Sequence, residues 1–514
     1  MTAIYLTTTI PYVNARPHLG HALEFVQADV LARYHRQAGA QVRLQTGTDD
    51  NALKNVLAAQ AAGVSVREFV DGNAAAFADL ARQLTASVDD VISTSSDPRH
   101  RPAVERLWLA CEQAGDLYLK QYAGLYCIGC EQFYTEAELT GGRCPEHGTV
   151  PQQVTEENWF FRLSSYGDRL RSAITSGRLR IEPAARRNEV LGFIDGGLED
   201  FSVSRSASRA HGWGIPVPGD PEQVIYVWFD ALGNYLSALD YGTGGANLRR
   251  WWTDSAHRVH LLGKGVLRFH AVYWPAILLS AGLPLPTELL VHDYVTVDGA
   301  KIGKSAGNAV DVTNLVSGYG ADAVRWWLLR EVARVGDTDF TLDRLISRAN
   351  DELANGIGNL VHRVVALVGK YRAGLVPVAN GRALPGAQRL EQARGQAPEL
   401  IEAALADGDF RQATAAVYAI ASEANKYISQ TEPWRLVKAE RAGDAQASAQ
   451  LDAVLAALIE TCRELAGYLG PFLPEAAARI EAQCYPASCA TAAGRLQRPA
   501  PVFTRLIPPL DSPA

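Results

Sequence analysis

At 514 residues, 47% hydrophobic and 20% charged, the chain has the balance of a globular protein and the length for two to four domains. Its net charge of −7 excludes a generally basic surface, so a tRNA or DNA partner requires a local basic patch. Seven cysteines in so long a chain do not make a disulfide framework, and the longest apolar run, residues 272–285, is broken by Pro275 and Gly282 short of membrane-spanning length.

The opening MTAIYLTTT has no basic region and no cleavage site, so a cytoplasmic location is expected. Residues 3–9 predict a buried strand, followed by a turn and a helix over 22–37; VRLQTGT (42–48) predicts a second strand ending in a loop. This alternation predicts a parallel α/β sheet. Between 116 and 215 the character changes to cysteines, glycines and short strand-like runs, which reads as an insertion. Alternation resumes with QVIYVWFDAL (223–232), RVHLLGKG (258–265) and ELLVHDYVTVDG (288–299). After about Arg344 the pattern is helical to about Ala482, with apolar residues at three-to-four spacing such as Leu353, Ile357, Leu360 and Val361. Residues 486–514, rich in Pro and Ala, predict a coil packed along the surface, and no tandem repeats occur.

Four stretches carry chemistry. PHLGH (17–21) joins the first strand to a helix N-terminus, which offers free backbone N–H groups and a positive dipole end to phosphate. His18 and His21 add side-chain donors and Gly20 permits close approach; a capped turn with two surface histidines is the plainer reading. CIGC (127–130) and CPEH (144–147) set Cys127, Cys130, Cys144 and His147 in the spacing C-x2-C-x13-C-x2-H. That is the pattern of a closed, structural zinc site, with free thiols as the alternative. Cys111, Cys462, Cys484 and Cys489 show no such pairing and read as packing residues. YVWFDALGNY (226–235) is an aromatic-rich strand running into a helix, a pattern more common in cores than in sites. KIGKS (301–305) follows a tight turn at Asp298-Gly299. A lysine ammonium is a compact charge on a flexible stem, suited to phosphates that move during a reaction; a solvated loop is the alternative. Lysine is scarce, 8 against 41 arginines, and Lys264, Lys301 and Lys304 all fall at the ends of predicted core strands, where an open α/β sheet binds ligands.

H-x-G-H early and K-x-x-K-S late are the paired signatures of the class I aminoacyl-tRNA synthetases. The chain resembles the methionyl members of that class from about residue 3 to about residue 470. The blocks TTTIPYVNARPHLGHALEFVQADVLARYHR, TGTDDNALK, FFRLSSY, RRNEV, GLEDFSVSR, VIYVWFDALGNYLSAL, RFHAVYWPAILLSAGLPLP and DGAKIGKSAGN stand in the family's order. The resemblance implies a Rossmann catalytic domain split by a zinc-knuckle insertion and followed by an α-helical anticodon-binding bundle. Residues 1–115 and 216–300 are then the catalytic halves, 116–215 the insertion with its knuckle at 127–147, 301–345 the KIGKS loop and stem-contact region, 346–485 the bundle and 486–514 the tail.

The implied reaction forms an aminoacyl-adenylate from ATP and methionine or a close analogue, with Mg2+ accompanying the ATP, and passes the amino acid to tRNA(Met). A monomer with no membrane partner is expected. His18, His21, Lys301 and Lys304 are implied as catalytic groups and, with Gly20, Gly263, Lys264 and Ser305, as the ATP site. Asp49 is implied to hold the substrate ammonium. Ile10, Tyr12, Trp228, Ala231, Leu232, Tyr235 and His270 are implied to enclose its side chain, as an apolar slot suited to a long thioether. In the bundle, Asn359, Arg363, Pro433 and Trp434 are implied to read the CAU anticodon, Trp434 by stacking on a base; a helix cap and a buried Trp are the plainer reading. Arg344, Arg348, Lys370, Lys426, Arg435 and Lys438 are candidates for the local basic patch.

Three places depart from the family pattern, all around the nucleotide. Asp50, Asn51 and Ala52 replace Glu, His and Gly; Gly265 stands where an Asp is usual; Ile302 and Gly303 replace Met and Ser. Leu232 also stands where proline is frequent. The clustering points to a divergent paralogue. It leaves two further readings open: a tRNA-independent ligase that passes the activated amino acid to a small amine or hydroxylamine, and a non-catalytic tRNA-binding protein. Retention of both histidines and both lysines counts against the last.

Overall fold

The computed structural model describes residues 2–129, 132–146, 148–302, 310–378, 386–485 and 495–508, with the backbone alone at Gln132 and Lys301. Cys130, His147, Gly303, Lys304, Ser305 and Cys489 lie outside the described residues. The chain divides into two units, residues 1–82 with 86–294 and residues 83–85 with 295–514.

The first unit is built on a six-stranded parallel sheet. β1 (Ala3–Thr7), β2 (Gln41–Thr48) and β3 (Asp90–Ser93) form one wing, with α1 (Leu19–Gln37) and α2 (Leu53–Ala62) between them in sequence. β4 (Leu117–Cys127), β5 (Gln132–Tyr134) and β6 (Gln152–Phe161) leave this sheet for a small antiparallel one. β7 (Arg180–Glu182) returns to the edge of the main sheet, although it lies inside the stretch that reads as an insertion. β8 (Phe201–Ser202) completes the sheet of β4–β6, while β9 (Ser204–Ser206), β10 (Pro216–Val217) and β11 (Asp220–Ile225) form a second antiparallel sheet. β12 (His257–Gly263) and β13 (Glu288–His292) then close the main sheet in the order β3-β2-β1-β12-β13-β7. The strand order reverses between β1 and β12, which makes the crevice at their carboxyl ends the place where such a sheet binds ligands.

Two expectations need correction. Residues 223–232 do not resume the parallel alternation: β11 is antiparallel, it ends at Ile225, and the helix Val227–Leu232 follows at once. An apolar run such as IYVWF has no period that separates strand from buried helix. The first helix starts at Leu19, not Ala22, because His18 acts as its cap, a role that Ser, Thr, Asp and Asn usually fill.

The core strands read as continuous apolar runs because both faces are covered: Ile4, Tyr5 and Leu6 are all buried. In the second unit, β14 (Val295–Val297), β15 (Ala300–Lys301) and β16 (Thr338–Asp339) form a three-stranded sheet. Asp298 (φ 54) and Gly299 (φ 70) both take the left-handed conformation, so a type I′ turn joins β14 to β15, as the Asp-Gly pair predicts. The remainder is helical, with Asn359–Arg372, Gln388–Ala406, Phe410–Thr431 and Ala445–Leu469 as its main members. Leu353, Ile357, Leu360 and Val361 are all buried, as their spacing predicts. Residues 495–508 run mostly without regular structure, and Asn350 holds Leu506 through both backbone polar groups. Among the described residues no helix is long and apolar enough to cross a membrane.

Candidate active site

The carboxyl ends of β1 and β12 gather the first group of site residues. His18 caps α1: its Nδ1 accepts from the Gly20 N–H at 3.1 Å, and the His18 N–H donates to Nδ1 of His21 at 3.1 Å. The two rings stack with centroids 3.8 Å apart. Each Nδ1 is an acceptor, so in the neutral rings the proton sits on Nε2. Burial, followed by the proximity of His18 and His292, holds His21 well below the ordinary histidine pKa, so it stays neutral at physiological pH. Gly20 lets the ring lie close, since a Cβ there would stand 3.0 Å from the His18 ring.

Asp49 follows β2 and is 2% exposed. Its backbone bridges to Tyr12, and its N–H donates to the Pro11 carbonyl at 2.9 Å. Asn55 donates to the carbonyls of Asp49 and Asp50, both at 2.9 Å, which fixes the loop. Ile10 packs against Gly47, whose Cβ would lie 2.9 Å from the isoleucine methyl. Tyr12 meets Trp228 edge to face at 6.0 Å, and Trp228 stacks on Phe269 at 3.6 Å. Further along, Ala231, Leu232 and Tyr235 are buried. His270 donates from Nδ1 to the Val266 carbonyl at 2.9 Å, so its Nε2 accepts from the Tyr235 hydroxyl at 2.8 Å. Burial, only partly offset by the Val266 carbonyl, lowers His270 to about 4. The wall formed by Tyr12, Trp228, Ala231, Leu232, Tyr235 and His270 is therefore largely apolar and aromatic, with Asp49 beside it.

In the second unit Asn359 opens the helix Asn359–Arg372, and Arg363 lies one turn on. Both line a cavity of about 550 Å³ with Asn355, Tyr418, Asn425 and Lys426. Pro433 is buried at the start of the helix Pro433–Arg441, and Trp434 is 45% exposed there. Trp434 is therefore not a core residue, which removes the plainer of its two readings. Four of the six basic-patch candidates have acidic partners: Arg344 and Arg348 pair with Glu331, and Arg348 also with Glu352 at 2.7 Å. Lys426 pairs with Glu423 at 2.6 Å, and Arg435 with Glu432 at 2.9 Å. Each of these arginines and lysines has a carboxylate within reach that the charge pattern alone does not reveal.

Cys127 and Cys144 are both buried and share a small cluster with Tyr134. Two soft sulfur donors held in the same place suit half of a zinc knuckle; the other two candidates, Cys130 and His147, fall outside the described residues. Among the described residues no cluster of three or more metal-ligating side chains is present. Cys111, Cys462 and Cys484 are fully buried, as packing residues should be.

Comparison with known proteins decides the family. The model for class I tRNA synthetases of type M matches residues 4–154 and 143–365, and the model for the anticodon binding domain of methionyl tRNA ligase matches residues 379–492. The chain belongs to the methionyl class I tRNA synthetases. Curated relatives named methionine--tRNA ligase include one from Thermosynechococcus vestitus, 41% identical over 93% of this chain and 89% of the relative. Another, from Caldanaerobacter subterraneus, is 40% identical over 91% of this chain and 72% of its own. A crystal structure of Mycobacterium tuberculosis methionyl-tRNA synthetase bound by methionyl-adenylate matches with a TM-score of 0.90 and 36% identity, covering 98% of this chain and 100% of that one.

Within this synthetase, the family-pattern departures around Asp49 have partners of their own. Asp50 accepts from the hydroxyls of Ser93 and Ser95, and Asn51 donates to Asp230 at 2.8 Å. Asp230 also meets His100 at 2.5 Å, so the Asp49 loop is tied to the helix that carries Ala231 and Leu232. Sequence reasoning misses Phe269, which backs Trp228, and Lys54, whose ammonium lies 3.2 Å from the Tyr12 ring centre. Both stand inside quoted family blocks, and the scarcity of lysine was the available signal for Lys54.

Proposed function

We propose that this chain activates methionine with ATP as methionyl-adenylate and transfers the methionyl group to tRNA(Met). The observation that carries the reading is the slot closed by Tyr12, Trp228, Tyr235 and His270, with Asp49 buried beside it, next to the histidine-capped start of α1. A neutral, aromatic slot fits a thioether, and a buried carboxylate fits an ammonium. Methionine's carboxylate oxygen attacks the α-phosphorus and pyrophosphate leaves. The charge that develops is met by Nε2–H of His18 and His21, by the positive dipole end of α1, and by Lys301 and Lys304. Gly263, Lys264 and Ser305 complete the ATP site in this reading, and Mg2+ supplies further charge neutralisation when bound with ATP.

The domain division given above belongs to the same proposal, as do a monomeric state and a cytoplasmic location. The helical unit supports tRNA as the acceptor: Asn359 and Arg363 share one cavity, and Trp434 offers an exposed ring to an unpaired base. Transfer to a small amine gains less support, because Asp50 and Asn51, two of the departures that raised it, are held by local hydrogen bonds.

Pyrophosphate exchange over a panel of amino acids tests the first step. Methionine should exceed leucine and glycine; strong exchange with a small or charged amino acid and none with methionine would overturn the assignment. Trp434→Ala should remove a stacking contact of about 1–3 kcal/mol and lower aminoacylation roughly tenfold to a hundredfold. Exchange without tRNA should stay at the wild-type rate, and an unchanged aminoacylation rate would count against Trp434 as an anticodon contact. For the knuckle, elemental analysis should find one zinc per chain, bound by Cys127, Cys130, Cys144 and His147. It should be lost in Cys127→Ser and in His147→Ala; full zinc in both variants would mean the ligands are misassigned.

A further inference from the structure

Two glycines flank Lys264 at the end of β12, and both lie under side chains from the next strand. A Cβ on Gly263 would stand 3.3 Å from the His292 ring, and a Cβ on Gly265 would fall inside the contact shell of the Tyr294 hydroxyl. His292 ends β13 and Tyr294 comes two residues later, a spacing that places both side chains on one side of an extended chain. His292 is fixed by Glu24 at 3.2 Å and by the Asp293 carbonyl at 2.9 Å. The Tyr294 ring carries the Lys264 ammonium 4.6 Å from its centre, a contact that steadies its orientation. The phenol oxygen thus occupies the place where a side chain at position 265 would begin. Gly265 is exposed and Tyr294 half-buried, so this oxygen lies on the rim of the crevice.

The crevice has a direction. Phosphate belongs at the start of α1, beside β1, where His18, His21 and the positive dipole end of the helix are. A nucleotide anchored there and extending across the switch point brings its sugar to the end of the adjacent strand, β12. We propose that the Tyr294 hydroxyl binds the ribose of ATP, in the position that a side chain at residue 265 would otherwise fill. A phenol both donates and accepts, so it can pair with either hydroxyl of the ribose diol. The proposal rests on ATP being the nucleotide of this site.

The test is equilibrium binding of ATP, 2′-deoxy-ATP and 3′-deoxy-ATP to the full chain and to Tyr294→Phe, with pyrophosphate exchange measured alongside. Phenylalanine keeps the ring and its lysine contact, so folding should be unaffected. The wild type should bind ATP more tightly than at least one deoxy analogue. Tyr294→Phe should weaken ATP about three- to tenfold, leave that analogue unchanged, and leave the KM for methionine at its wild-type value. A ratio of ATP to deoxy-ATP affinity that is the same in both proteins overturns the proposal. Gly265→Ser should weaken ATP binding in the wild type and less so in a Tyr294→Ala background; equal effects in both would also overturn it. Failure of the functional reading looks different: the wild type then binds ATP with no methionine-dependent exchange, and the affinity ratio still decides the role of Tyr294. A wild type that binds no ATP overturns both.

Discussion

Replacing Asp49 by alanine is expected to abolish methionine-dependent pyrophosphate exchange for practical purposes. Asp49 is 2% exposed, and the wall beyond it is aromatic, with His270 neutral because burial lowers its pKa to about 4. A substrate ammonium entering this slot gives up water, and without the carboxylate it has no counter-charge. Leaving one member of a buried pair alone costs about 3–5 kcal/mol, or roughly 150- to 5,000-fold in kcat/KM. Asp49→Asn keeps the shape and should lose nearly as much, which separates charge from packing. The Asn55 contacts to the backbone carbonyls of residues 49 and 50 do not use the Asp49 side chain, so they survive the substitution. Exchange within tenfold of wild type in Asp49→Ala would place the ammonium elsewhere.

The second large effect concerns Lys304. The β14–β15 hairpin ends at Lys301, its turn set by the left-handed Asp298 and Gly299, and Ile302 is buried just after it. Lys304→Ala should cost about 2–4 kcal/mol of transition-state stabilisation, the scale of one preorganised donor, and so slow adenylate formation roughly 30- to 1,000-fold. Methionine affinity should hardly move, because a phosphate clamp has no part in the thioether slot. An equal loss of methionine affinity would contradict that division. Lys304→Arg should recover little, since a planar guanidinium does not reproduce a compact ammonium.

Much of this architecture is legible in the sequence, for physical reasons that also mark the limits. β1 is a continuous apolar run because both faces of the sheet are covered, and such a run is readable. β7 is three residues long and carries no pattern, so its return to the main sheet is invisible without the tertiary register. The Asp-Gly turn is encoded by two adjacent residues and is correctly expected, whereas the start of α1 is missed by three residues because histidine rarely caps. In the site, His18, Gly20 and His21 are readable as a motif, but their tautomers depend on which backbone N–H each ring accepts. The stack of Trp228 on Phe269 joins residues far apart in sequence, and no local period encodes it. The charge pattern does not show that Arg344 and Arg348 have acidic partners, because a sequence displays charge and hides contacts; Glu331 and Glu352 supply them. The departures Asp50 and Asn51 look like damage in one dimension and prove to be held by Ser93, Ser95 and Asp230.

The most direct test of the whole account is charging of tRNA with labelled methionine by the purified chain. The account predicts methionyl-tRNA(Met) that requires ATP, is released by mild base as an ester should be, and falls steeply with added salt as phosphate contacts are lost. Methionyl-adenylate formed at a normal rate with no label on tRNA, and label instead on an added amine or hydroxylamine, would contradict it.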